Sequence, residues 1–150
     1  MITKTFSLKE LYTEDESIWI FENVKLIREG KIDEVDWVNI AEELELMGKS
    51  QFREVYSRMK ELILHLLKWK FQSRFRGSSW ESSIRKQRGD LGEIFNDSKN
   101  LKDYAVENFE RAYQDAKKLA ATETGIERNI FPVNSPFKLE EIMKEEFFPE

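Results

Sequence analysis

The chain has a single histidine, His65, and it lies on a stretch with a helical rhythm. From Ser50 to Gln72 the apolar residues Phe52, Val55, Tyr56, Met59, Leu62, Ile63, Leu66 and Trp69 recur at steps of three and one. That is a helix period and not a strand period. At about 100° per residue, His65 falls on the flank of this stripe with Arg58, Glu61, Lys68 and Gln72. Glu61 precedes His65 by one turn and Lys68 follows it by one, so either can touch the imidazole. An imidazole among a carboxylate and cations could move a proton or grip an anion. In its simpler role it hydrogen-bonds to Glu61 or to the preceding helix at the edge of a core.

A second polar group comes from the next predicted helix, from Ser78 or Ser79 to about Phe95. Gln87 falls near the line of Trp80, Ile84 and Leu91, and Arg88 lies on its edge. A polar residue facing a core needs partners. Glu42, Glu43 or Glu45 could pair with Arg88, a link more dependable as a specificity device than as a source of stability. Alternatively Arg88, Lys68 and His65 converge on an anionic ligand. The candidate ligand cluster is therefore Glu43, His65, Lys68, Gln87 and Arg88, and the catalytic candidates are Arg58 and His65. A ferritin-like di-metal site needs Glu-x-x-His on two helices. With one histidine and no such motif, no metal is expected. The chain has no cysteine, which removes disulfides, thiolate zinc sites and thiol nucleophiles. No cofactor is expected.

Arg58 and His65, with six residues between them, are similar to the arginine–histidine motif of HEPN (higher eukaryotes and prokaryotes nucleotide-binding) ribonucleases, which are all-α domains. The resemblance implies His65 as acid/base and Arg58 as the grip on the scissile phosphate. Met59 stands where those motifs usually carry a polar residue.

These residues must be positioned by long amphipathic helices. The pattern predicts one all-α domain over 1–150: an N-terminal arm over 1–13, a bundle of four to five long helices over 14–124, and an extended C-terminal arm over 126–150. The first helix runs from near Glu14 to Glu29 and ends at Gly30. The second covers about Glu34–Met47, with Trp37, Ile40, Ala41, Leu44 and Met47 on one side. Gly48 either separates it from the Ser50–Gln72 helix or sits inside one bent helix. Gly89 and Gly92 interrupt the fourth helix and suggest close approach of a neighbour. The fifth runs from about Leu101 to Thr124 and stops at Gly125, with Leu119 on its core side. All three prolines fall in the last stretch, which is read as an arm with a short helix near Leu139–Glu145 and a Phe147–Phe148 anchor. Charge is uneven along the chain. Residues 68–88 carry Lys68, Lys70, Arg74, Arg76, Arg85, Lys86 and Arg88 against Glu81 alone, while the flanking regions are acidic. Such a band either pairs with the bundle's own acidic faces or holds a local anion.

The whole pattern resembles the domain of unknown function 29 family. The motifs are Asp36-Trp37, Glu42-Glu43-Leu44, Gly48, His65-Leu66-Leu67-Lys68-Trp69, Ser79-Trp80, Ile84 and Gln87-Arg88, followed by the Phe-Pro and Ser-Pro-Phe tail. The resemblance extends from about Leu11 to Glu150. It implies a small bacterial all-α protein and brings no known activity, cofactor or catalytic residue.

The expected function is a non-enzymatic protein–protein interaction or structural module. The alternatives are a small anion or nucleotide binder at the polar cluster and a HEPN-like, metal-independent ribonuclease. The expected partner is another protein or a second copy. No membrane partner is expected, because no apolar run approaches the ~20 residues of a span and the start lacks a signal-peptide core. A net charge of −5 speaks against nucleic acid. The expected location is the cytoplasm.

Overall fold

Ser7 opens the first helix by a reciprocal cap. Its Oγ accepts from the Glu10 N–H at 3.2 Å, and its own N–H donates to Glu10 Oε2 at 3.1 Å. The computed structural model describes residues 4–150, and these form six α-helices with no strand among them. The all-α fold expected from the periodicity is the one that forms. Helix α1 (Leu8–Glu14) lies in the stretch expected to be an arm, of which residues 1–3 fall outside the described residues. At 7 residues it is too short for an apolar period to show. Asp15 ends α1 and caps α2 (Glu16–Arg28), accepting from the Ile18 N–H at 3.3 Å. Gly30, at φ 74°, closes α2. Its N–H reaches the Ile27 carbonyl and the Lys31 N–H reaches that of Leu26, a paired arrangement that needs the left-handed residue.

Contacts gather the chain into two compact units, one ending at Lys49 and one beginning at Ser50. A buried polar knot holds the first. Trp19 Nε1 donates to Asp36 Oδ2 at 3.0 Å, Asn23 Nδ2 donates to the Trp19 carbonyl at 2.8 Å, and the Asp36 N–H donates to Asn23 Oδ1 at 2.9 Å. Asn39 Nδ2 adds a bond to Asp36 Oδ2 at 2.7 Å. Asp36 thereby caps α3 (Trp37–Phe71) and ties its start to α2.

Helix α3 is 35 residues long and runs unbroken through Gly48. Leu44, Gly48 and Phe52 are spaced four and four, so the apolar stripes before and after the glycine are in phase. The helix gains nothing by stopping there. Gly48 keeps a negative φ, and a Cβ on it would meet no atom within 4 Å. Gly48→Ala should therefore raise stability by about 0.5–1 kcal/mol, read as a higher urea midpoint at unchanged slope. A fall in the midpoint would mean that the helix is not continuous here.

The second unit has its core along α3 at Val55, Met59, Leu62, Ile63, Leu66 and Leu67. Packed into the same core are Ile84 and Leu91 of α4 (Ser78–Asp97) and Ala105, Ala112, Tyr113, Ala116 and Ala120 of α5 (Lys99–Thr124). Ser98 alone separates α4 from α5 and caps the latter through the Leu101 N–H at 3.2 Å. Gly125, at φ 75°, terminates α5 as expected. Leu119 is 38% exposed, and Ala120 takes the buried place. The stripe on α5 drifts toward 113, 116 and 120, so Leu119 rotates outward. Gly89 and Gly92 do not serve close packing, since a Cβ on either would meet nothing within 4 Å.

The final segment packs back on the same core through Phe131, Phe137, Leu139 and Ile142, with α6 at Leu139–Ile142. Polar side chains on one edge of α5 strap it down. Tyr113 Oη donates to the Pro132 carbonyl at 2.5 Å, Lys117 Nζ to the same oxygen at 3.4 Å, and Gln114 Nε2 to the Val133 carbonyl at 2.7 Å. Burial and then the Glu110 charge push the Tyr113 hydroxyl up to about 12, so it remains a donor.

Candidate functional site

Arg88 is the most fully engaged of the candidate residues. It is 5% exposed, and its three nitrogens donate to the carbonyls of Ile142, Glu145 and Phe147, each at 2.7 Å. The Phe148 ring lies 5.4 Å from the guanidinium carbon and 5.0 Å from the Trp69 ring. Burial, followed by the nearby Arg85, lowers its pKa from the usual arginine value. A buried cation is tolerated only when its donors are met. Here the planar fork matches three carbonyls converging at the end of α6. This corrects the expectation that Glu42, Glu43 or Glu45 would meet Arg88: a bent, partly helical tail offers free carbonyls, and they take its place. Nearby, Arg76 Nη2 donates to the Pro149 carbonyl at 3.2 Å and Arg76 Nε to that of Trp69 at 2.7 Å. Lys70 Nζ reaches the Glu150 carbonyl at 3.2 Å. Much of the basic band is thus turned to the backbone of the tail.

The other candidates each have partners of their own. His65 Nδ1 lies 3.0 Å from the Glu61 carbonyl and 3.3 Å from Glu61 Oε1, one turn back on α3. Lys68 pairs with Glu123 and stands 5.8 Å from the centre of the Trp80 ring. Gln87 Oε1 accepts from Arg58 Nη1 at 3.2 Å. Arg58 also donates to Asp90 Oδ2 at 2.7 Å and to Glu54 Oε1 at 3.0 Å. The guanidinium is therefore matched by two carboxylates, which a phosphate would have to displace. Glu43 belongs to the first unit, where Oε1 accepts from Tyr12 Oη at 2.6 Å. That bond, ahead of burial, pushes the Tyr12 hydroxyl up to about 12. The structure thus joins Arg58 to Gln87 and places no hydrogen bond among His65, Lys68 and Arg88. Among the described residues no buried side-chain nitrogen or oxygen lacks a partner, and no group of three or more acidic or histidine side chains could hold a metal.

A family model for a domain of unknown function, DUF29, matches residues 11–148. The chain belongs to the DUF29 family. No curated protein and no solved structure matches it. In this DUF29 chain the polar residues that carried the resemblance have structural partners: Asp36 in the knot with Trp19, Glu43 on Tyr12, Lys68 on Glu123 and Arg88 on the tail.

The first unit of the DUF29 chain also leaves apolar side chains open among the described residues. Among its described residues the first unit buries few apolar side chains, Trp19 and Val35, and exposes many. On α2, Ile20, Phe21 and Ile27 face outward, Phe21 at 70% exposure. On α3, Val38 is 74%, Leu44 61% and Met47 60% exposed, beside a half-exposed Trp37. Trp37, Ile40, Ala41, Leu44 and Met47 do share one side of the helix, as the spacing requires, but that side is largely open. Between Trp37 and Gly48 the only charged residues are Glu42, Glu43 and Glu45. The first 49 residues carry twelve acidic and six basic side chains. No helix among the described residues is long and apolar enough to cross a membrane.

Proposed function

We propose that this DUF29 chain is a non-enzymatic interaction module, and that its first unit receives a cationic amphipathic helix from another protein. The observation that carries the reading is the open stripe Trp37–Leu44–Met47 on α3, along which every charged residue from Trp37 to Gly48 is a glutamate. Exposed apolar stripes of this kind mark interaction surfaces. A helix laid into such a surface anchors through residues one turn apart. The rim selects the partner's charge, because a second copy would set carboxylates against carboxylates. The balanced partners of Arg58, Lys68 and Arg88 favour a scaffold over a catalytic site in the second unit.

The test is binding of an 18-residue helical peptide of leucine and lysine, by titration calorimetry, with a leucine–glutamate peptide as control. The lysine peptide should bind and the glutamate peptide should not. Leu44→Glu, at an exposed position, should weaken binding about tenfold or more at unchanged melting temperature. Equal binding to Leu44→Glu sinks the proposal. So does a wild-type dimer in sedimentation that Leu44→Glu dissolves, since the stripe would then be covered by a second copy.

A further inference from the structure

Helices α4 and α5 part from the tail segment around a cleft of about 710 Å³. Its walls are Gly92 and Phe95 of α4, Val106 and Phe109 of α5, and Leu139 and Met143 of the tail. That volume is in the range of small-molecule sites, which are mostly apolar with a few polar groups at fixed points. The polar groups here are Lys102, Lys138, Asn96 and Glu140. Lys102, Val106 and Phe109 lie on one face of α5, so a cation stands at one end of an apolar track. Neither Lys102 nor Lys138 forms an ion pair among the described residues.

Gly92 adds an independent observation. A glycine within a helix is disfavoured against alanine, and one usual reason to keep it is a neighbour that needs the room. No neighbour does: a Cβ on Gly92 would meet nothing within 4 Å, and the space beside it is the cleft. Gly89, one turn earlier, opens onto a smaller hollow of about 290 Å³ that shares Met143 with the larger one. Methionine is the apolar side chain best able to shift around an incoming group.

We propose that this cleft binds a small amphipathic anion, an aliphatic or aromatic carboxylate. Its apolar body would lie along Phe95, Val106, Phe109 and Leu139, and its charge against Lys102 and Lys138. Two lysines against the one carboxylate of Glu140 set the sign. The inference rests on the second unit alone and stands or falls apart from the peptide surface on α3.

The probe is sodium decanoate below its micelle concentration, followed by two-dimensional amide NMR on the whole chain. Saturable shifts at Gly92, Val106 and Leu139 are expected, with a Kd on the order of 0.1 mM for a ligand of this size. Gly92→Leu puts a branched side chain into the cleft and should weaken binding at least tenfold while the protein stays folded. Lys102→Gln with Lys138→Gln should weaken binding at least tenfold, and decanol should bind as weakly to the wild type. The proposal is overturned if decanoate causes no saturable shifts, if the shifts map elsewhere, or if Gly92→Leu binds like the wild type. Equal binding by decanol, or by the double lysine variant, overturns the anion.

Discussion

Arg88→Ala should lower the stability of the second unit by about 4 kcal/mol. The substitution removes three short hydrogen bonds from a charged donor, each worth about 1.5 kcal/mol or more, and strands the carbonyls of Ile142, Glu145 and Phe147. It also leaves a space beneath Phe148, whose ring is held by Arg88, Arg85 and Trp69. Arg88→Lys should recover little, about 1–2 kcal/mol, because one ammonium cannot meet three carbonyls at once. Arg85 supplies the control. It sits one turn earlier on α4 and is half exposed, and Arg85→Ala should cost no more than about 1 kcal/mol. Equilibrium unfolding in urea reads all three, and hydrogen exchange at residues 139–148 should rise in Arg88→Ala alone. An Arg88→Ala protein within 1 kcal/mol of wild type would show that the tail is held by its phenylalanines.

Trp19→Ala should abolish the order of the first unit at a cost of about 3–5 kcal/mol. Trp19 is 3% exposed, packs at a tilt against the Tyr12 ring with centroids 4.9 Å apart, and gives its N–H to Asp36. With Val35 the only other apolar side chain buried there among the described residues, little is at hand to close over the gap. Amides of α1 and α2 should lose their protection from exchange, while those of Val55–Leu67 keep theirs. Retained protection over Leu8–Arg28 would refute this account. The same knot gives a pH dependence. Burial pushes the Asp36 carboxyl up, but hydrogen bonds from Asn39 and Trp19 outweigh it and leave the pKa below the usual aspartate value. The folded state therefore holds this proton less tightly than the unfolded one. The stability it gives is complete above the unfolded value of about 3.9 and is lost as pH falls through the folded value. Acid should loosen this unit, and Asp36→Asn should flatten that part of the dependence.

The helices were legible where apolar spacing repeats over many turns, as along Phe52–Trp69, and where a glycine stops the pattern, as at Gly125. Helix α1 was hidden because 7 residues give less than two full repeats. His65 meets Glu61, because that contact is local to one helix and the spacing alone sets it. Arg88 was rightly marked as a polar residue facing a core, yet its partners could not be read. Backbone carbonyls have no letter in the sequence, whereas glutamates do. The spacing places Trp37, Ile40, Ala41, Leu44 and Met47 on one side of α3, and leaves open whether that side is covered. Spacing tells which side chains share a face, while coverage depends on what the rest of the chain has available to lay over it.

The grip of Arg88 and Arg76 on the tail bears on how this protein can change over time. Both arginines bind main-chain oxygens, which every residue carries alike, so the hydrogen bonds of the clamp do not depend on which side chains the tail displays between its anchors. Lys144 is exposed and can be rewritten without loosening the clamp, while the exposed Glu145 and Glu146 lend the buried Arg88 their negative charge. The tail can therefore drift in charge and take on new outward contacts while its path across the bundle stays fixed. Selection for such contacts can act there without first having to solve the fold again.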